Sequence, residues 1–239
     1  MAEKKERITN KRNANPQPMA ILIELENIAV QGRRLMYEAL SDILEKKGAK
    51  MKPFLFSRFC LYSSSKKYLP DLLKAVGKER LSADKMAEEV DAAIAAAFSR
   101  PGLKLPADLK KSLKALAEKG FVVGALCCLP KAVAQSLATN LGLEAMGVRM
   151  LAGFNEQTPY PGVEAWLKLA KISNVQPFRT VVVATSSLSC KAALAARMKS
   201  IAIPDSFTIF EDFCGADYLV NSLDEVGVDK LLTLLEFAW

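Results

Sequence analysis

The chain has 239 residues, 51% apolar and 25% charged, with a net charge of +7, which is long enough to bury a large core and ordinary for a globular protein. It contains no histidine, which excludes Ser-His-Asp and Cys-His nucleophile systems, His-ligated zinc and histidine general bases. No apolar run approaches the roughly 20 residues that a membrane-spanning helix needs.

The positive charge is unevenly spread. Residues 1–18 carry five Lys or Arg and two Glu, a net +3, and residues 31–100 carry 14 basic and nine acidic residues, a net +5. Residues 1–18 have little to bury and two prolines, and they read as a disordered basic arm rather than a secretory signal. The five cysteines (Cys60, Cys127, Cys128, Cys190 and Cys214) lack metal-type spacing. They are expected as free thiols of a soluble protein in a reducing compartment, either the cytoplasm or an organelle stroma such as a plastid's after loss of a transit peptide.

Taken in order, the first ordered stretch is Ala20 to Glu24, a short buried strand that runs into Leu25, Glu26 and Asn27. Alternation is expected to place Glu24 and Glu26 on one face of the strand end. The region from 31 to 100 reads as mainly helical. Arg33 to Lys47 has helical periodicity stopped by Gly48, and residues 54–62 are apolar and aromatic. Tyr68 to Val76 and Ser82 to Phe98 are further helices, with Ser82 as N-cap.

From Arg100 onward, helices and strands alternate. Helices are expected over Leu109 to Lys119, Lys131 to Leu141, Val163 to Ile172, Ser189 to Met198 and Val228 to Phe237. Strands are expected over Phe121 to Cys128, Val148 to Ala152, Thr180 to Ala184, Ser200 to Ile203 and Asp217 to Val220. Buried apolar strands alternating with helices predict an α/β fold with a doubly wound parallel sheet, Rossmann-like in its core.

Several segments together resemble the haloacid-dehalogenase-like (HAD) hydrolases, in the phosphoglucomutase and phosphatase branch that carries a helical cap. They are Ala20-Ile-Leu-Ile-Glu-Leu-Glu-Asn27, Pro101-Gly-Leu103 with Leu113 to Val123, and Thr158-Pro-Tyr-Pro161. To these add Thr180-Val-Val-Val-Ala-Thr-Ser-Ser187 with Lys191 to Met198, and Gly215 to Glu225. The resemblance spans about residues 19–235. It implies a core of residues 19–30 and 101–239, an inserted α-helical cap of residues 31–100, and the arm of residues 1–18.

The departures fall on the chemistry that the resemblance implies. The family's aspartate nucleophile is Glu24 here, and one extra methylene displaces the attacking oxygen by about 1.5 Å. A displacement near 1 Å can cost about 10²-fold. The second aspartate, a general acid and base, is Glu26, followed by Asn27. The hydroxyl of the second motif is replaced by Cys127, a poor donor. The lysine of the third motif is absent at Thr158. The magnesium-binding acids of the fourth are replaced by Ala184, Thr185 and Ser186.

Phosphoryl transfer depends on positioning and on neutralising charge, and neither is supplied. The residues therefore favour a catalytically degenerate, phosphatase-like pseudoenzyme with no cofactor. Its expected role is as a protein-interaction, assembly or regulatory factor, with a protein partner bound through the basic cap or the N-terminal arm. One alternative is a divergent magnesium-dependent phosphatase or phosphomutase with Glu24 as nucleophile, in which Glu24 and Glu26 form a weak metal site. A second is a nucleic-acid-associated factor using the basic arm and cap. Thr185 to Ser189 precedes a helix, where hydroxyls and free N–H groups suit an anion; ordinary N-capping explains the same residues. Cys127 is expected as a buried strand cysteine rather than a reactive thiol.

Overall fold

Apolar runs buried on both faces build the centre of the sheet. The computed structural model describes residues 17–153 and 160–236, so the expectations for most of the N-terminal arm and for Thr158 lie outside the described residues. The strands are β1 (Met19–Glu24), β2 (Phe121–Cys127), β3 (Arg149–Ala152), β4 (Thr180–Ala184), β5 (Lys199–Ala202) and β6 (Tyr218–Leu219). They form one six-stranded sheet in the order β3-β2-β1-β4-β5-β6, parallel throughout. The order reverses at β1, with β2 on one side and β4 on the other. That switch point is where ligands bind in open α/β sheets.

Helices cover both faces, as a parallel sheet requires. The chain supplies α1 (Leu25–Val30), α2 (Gly32–Lys46), α3 (Pro53–Phe59), α4 (Ser65–Ala75), α5 (Ala83–Ser99), α6 (Ala107–Glu118), α7 (Lys131–Asn140), α8 (Val163–Ile172), α9 (Ser187–Ala195) and α10 (Gly227–Glu236). One face of the sheet packs Ile21, Ile23 and Val123 against Leu113 of α6, Leu137 of α7 and Leu231 of α10. The other packs Leu22 and Val182 against Trp166 and Leu169 of α8 and Cys190 of α9.

Helices α2 to α5 form the cap and have a third apolar cluster that includes Leu40, Leu44, Phe56, Leu69, Leu72 and Val90. Phe207, from the segment after β5, is buried in the same cluster and ties cap to core. Its ring centroid lies 4.8 Å from that of Phe56 and 5.5 Å from that of Tyr37.

Two local expectations change. Residues 54–62 were legible only as apolar and aromatic; their first part is helix α3, opened by Pro53, whose fixed φ suits the first helical turn. Glu26 does not sit on a strand. The chain enters α1 directly after Glu24, so the period-two argument that paired Glu24 with Glu26 fails, and Glu26 lies in the first turn of a helix. Both side chains are nevertheless buried at the same strand end.

Candidate functional site

The C-terminal end of β1 is built by three adjacent strands. Glu24 lies level with Leu126, one residue before Cys127, and Ile23 lies level with Val183, just before Ala184 and Thr185. Glu24, Glu26, Cys127, Thr185 and Ser186 therefore lie at one end of the sheet, and all are buried.

Beside Glu24, and bonded to Thr185 and Asp205, lies Arg33, which sequence reasoning missed. A sharp reversal delivers it. Gln31 takes a left-handed conformation (φ 53°, ψ 51°) between α1 and α2, and its backbone N–H donates to the Glu26 carbonyl. Gly32 follows so close to that carbonyl that an added Cβ would stand 2.7 Å from Glu26 O. Arg33, next in α2, thus turns back over the strand end and is only 6% exposed.

Its Nη1 donates to Thr185 Oγ1 at 2.8 Å and to Asp205 Oδ2 at 2.8 Å. The Thr185 hydroxyl in turn donates to Glu24 Oε2, which also accepts from Asn27 Nδ2 at 3.4 Å. Burial opposes the charge on Arg33, but the charges of Glu24 and Asp205 outweigh it and hold the guanidinium above its ordinary pKa. Asp205 is held by the Phe207 N–H at 2.8 Å, and Thr208 Oγ1 donates to the Thr185 carbonyl at 2.7 Å. The network runs continuously from Glu24 through Thr185 and Arg33 to Asp205.

A second internal charge occupies the start of α9. Ser186 caps that helix, its Oγ accepting from Ser189 N–H at 3.3 Å. The Ser187 N–H donates to Glu211 Oε2 at 2.7 Å, and Glu211 Oε1 accepts from the hydroxyl of Tyr62 in the cap. A helix N-terminus favours an anion, and here the chain's own carboxylate takes the first free N–H.

The remaining predicted residues are locked in place. Glu26 Oε1 accepts from Cys128 N–H at 3.0 Å. Burial pushes the Glu26 carboxyl above its ordinary value of 4.5; that N–H pulls it partly back and the charge of Glu24 adds to the rise. Burial, then the charge of Glu26, holds the Cys127 thiol well above its ordinary value, so it stays protonated and poorly nucleophilic. The cavity bounded by Glu26, Arg33, Phe56, Cys60 and Cys128 holds only about 40 Å³, room for a water-sized group. A larger groove of about 480 Å³ lies beyond Asn27, but Glu24, Glu26, Cys127 and Thr185 do not line it.

The donor set does not suit the magnesium ion that the sequence resemblance implied. Ala184, Thr185 and Ser186 offer no carboxylate, Thr185 is already bonded to a cation, and no cluster of three or more His, Cys, Asp or Glu among the described residues could hold a metal.

Arg33 had one signal in the sequence. A cation in the first turn of a helix opposes the macrodipole, and α2 has no acid in that turn. An arginine there calls for a carboxylate from elsewhere. Arg34 carries the same signal yet is exposed, pairing with Glu38 at 2.9 Å, so the sequence alone could not choose between them. Asp205, Glu211 and Tyr62 lie far from the motif positions in sequence, and only the fold brings them in.

No protein-family model matches the chain, and no curated protein sequence matches it. Solved structures do. CbbY from Rhodobacter sphaeroides, in complex with phosphate, superposes with a TM-score of 0.72 at 17% identity, over 90% of this chain and 99% of that one. A β-phosphoglucomutase from Clostridium difficile gives 0.71 at 16% identity, over 92% and 97%. A predicted phosphoglycolate phosphatase from Haemophilus somnus gives 0.70 at 15% identity, over 86% and 95%. With its six-stranded parallel sheet and its inserted helices, the chain has the HAD-like fold of the phosphatase and phosphomutase structures, with a helical cap.

Proposed function

We propose that this chain is a catalytically degenerate HAD-like protein and acts as a protein-interaction or regulatory factor. One observation carries it: the Arg33 guanidinium, bonded to Thr185 and Asp205 and coupled to Glu24, lies in the cleft between cap and core. A phosphoryl-transfer site needs an open position for the phosphate and positive charge directed at it. Here the positive charge is spent on internal carboxylates, Glu211 engages the α9 N-terminus, and the cavity beside Glu26 and Arg33 is water-sized.

Calorimetric titration of the full chain with magnesium and inorganic phosphate tests this. The expected result is no saturable binding of either. Magnesium-dependent phosphate binding that Glu24→Gln abolishes would overturn it. That outcome would favour a divergent magnesium-dependent phosphatase with Glu24 as nucleophile, a reading supported by the buried oxygens without a hydrogen-bond partner at this strand end, Glu24 Oε1, Glu26 Oε2 and Asn27 Oδ1.

A further inference from the structure

The cap meets the core along a second, outward-facing seam. There α3 lies against the segment that follows β5. Phe54 in the first turn of α3 is 59% exposed, and Ile209 and Phe210 in the segment are each 68% exposed. Single exposed apolar residues are ordinary. The rings of Phe54 and Phe210 instead flank a groove of about 370 Å³, lined by Pro53, Phe54, Ser57, Arg58, Ser206 and Phe210. Clustered exposed apolar surface of this kind marks a contact site.

The groove is rigidly backed. Ser57 Oγ donates to the Phe207 carbonyl at 3.3 Å, tying one wall to the other. Directly beneath, Phe207 packs on Phe56 and Tyr37. The exposed rings therefore sit on a packed aromatic base, and little ordering remains to be done on binding.

The charge around the groove is positive. Lys52 Nζ lies 5.9 Å from the Phe54 ring centroid, and Arg58 lines the groove. The nearby carboxylates face elsewhere: Asp205 is paired with Arg33, Glu211 accepts from Tyr62 and Ser187, and Asp212 accepts from Cys214 N–H. An apolar floor with a cationic rim suits an acidic peptide that carries an apolar anchor. A second copy of the chain fits poorly, since residues 31–100 carry 14 basic against nine acidic residues and face-to-face copies would oppose like charges. The phosphate backbone of a nucleic acid would leave the apolar floor unused.

We propose that the groove between α3 and the segment after β5 docks an acidic segment of a partner protein. An aromatic or long aliphatic side chain sits between Phe54 and Phe210, and flanking Asp or Glu meet Lys52 and Arg58. This rests on the interaction role proposed above but not on the loss of catalysis. One wall belongs to the cap and the other to the core, so the groove exists only while the two are closed on each other.

Panning a random-peptide phage library on the full-length chain, followed by fluorescence anisotropy with the enriched peptides, tests this independently of any phosphate measurement. The enriched peptides should be acidic with an aromatic or aliphatic residue, and binding should weaken as salt rises. The double variant Phe54→Ser with Phe210→Ser should weaken binding by about tenfold or more, the loss expected of anchor contacts. Both rings are exposed, so circular dichroism should show an unchanged fold. Arg58→Glu should weaken binding with both rings intact. Four outcomes would overturn the proposal: no enrichment, enrichment of basic or neutral peptides, binding indifferent to both variants, or groove variants that instead abolish self-association or binding to poly(U) RNA.

Discussion

Arg33 carries its charge where a helix disfavours it, in the first turn of α2, and the buried Glu24 and half-buried Asp205 offset that. Removing the guanidinium while keeping the stem, as in Arg33→Met, leaves Asp205 unpaired and Glu24 uncompensated. Breaking one side of a buried pair costs about 3–5 kcal/mol, so the urea midpoint should fall by that equivalent. An unchanged midpoint would show that the network contributes nothing to folding. Glu26 makes a separate prediction with a definite sign. Burial raises its folded pKa above 4.5, so the folded state holds the proton more tightly than the unfolded state. Stability from this group is therefore full below about 4.5 and is lost as pH rises toward the raised folded value. Glu26→Gln removes the titration. The stability of wild type relative to Glu26→Gln should fall across that window in chemical denaturation, and a pH-independent difference would sink the assignment. At this scale the sequence was legible where motif positions marked it: Glu24, Glu26, Cys127, Thr185 and Ser186 lie at one end of the sheet. Arg33 and Asp205 were not legible, because their pairing spans 172 positions and depends on the turn at Gln31.

That turn is an element-scale device. Helix α1 has six residues, and the chain then reverses through Gln31 and Gly32 into α2. In Gly32→Ala the new methyl would meet the Glu26 carbonyl, a backbone group that cannot swing aside. The expected cost is about 1–3 kcal/mol, typical of overpacking, and thermal unfolding would report it; an unchanged melting temperature would mean the turn relaxes freely. The long elements were legible because their patterns are strong. Strands β1, β2 and β4 are continuous apolar runs, and α2, α5 and α8 repeat their apolar residues at helical spacing. The short helices α1 and α3 were not, since six or seven residues carry too little periodicity to separate helix from strand. That is why alternation misplaced Glu26.

At the scale of the whole molecule, the fold followed from strand–helix alternation and from the position of the insert, and solved HAD-like structures share it over about nine tenths of the chain. What patterning could not supply is how the cap sits on the core. Among the described residues, the contacts that hold it include Arg33 to Asp205, Tyr62 to Glu211, Ser57 to the Phe207 carbonyl, the packing of Phe207 into the cap cluster and the burial of Leu35 and Phe98 in the core cluster. Tyr62→Phe strands Glu211 Oε1 at a cost of about 1–3 kcal/mol. Amide exchange in α3 and α4 should accelerate more than exchange in the sheet, and uniform acceleration would mean that the contact supports global stability rather than closure. Under the proposed function, closure and loss of catalysis would be two sides of one arrangement, since the charges that hold the cap are the charges a phosphoryl-transfer site would need free. Phosphate release from a panel of phosphate monoesters, with magnesium and with wild type beside Glu24→Gln, tests that claim most directly. The arrangement predicts release no faster than buffer and identical for both proteins; magnesium-dependent release that Glu24→Gln abolishes would contradict it.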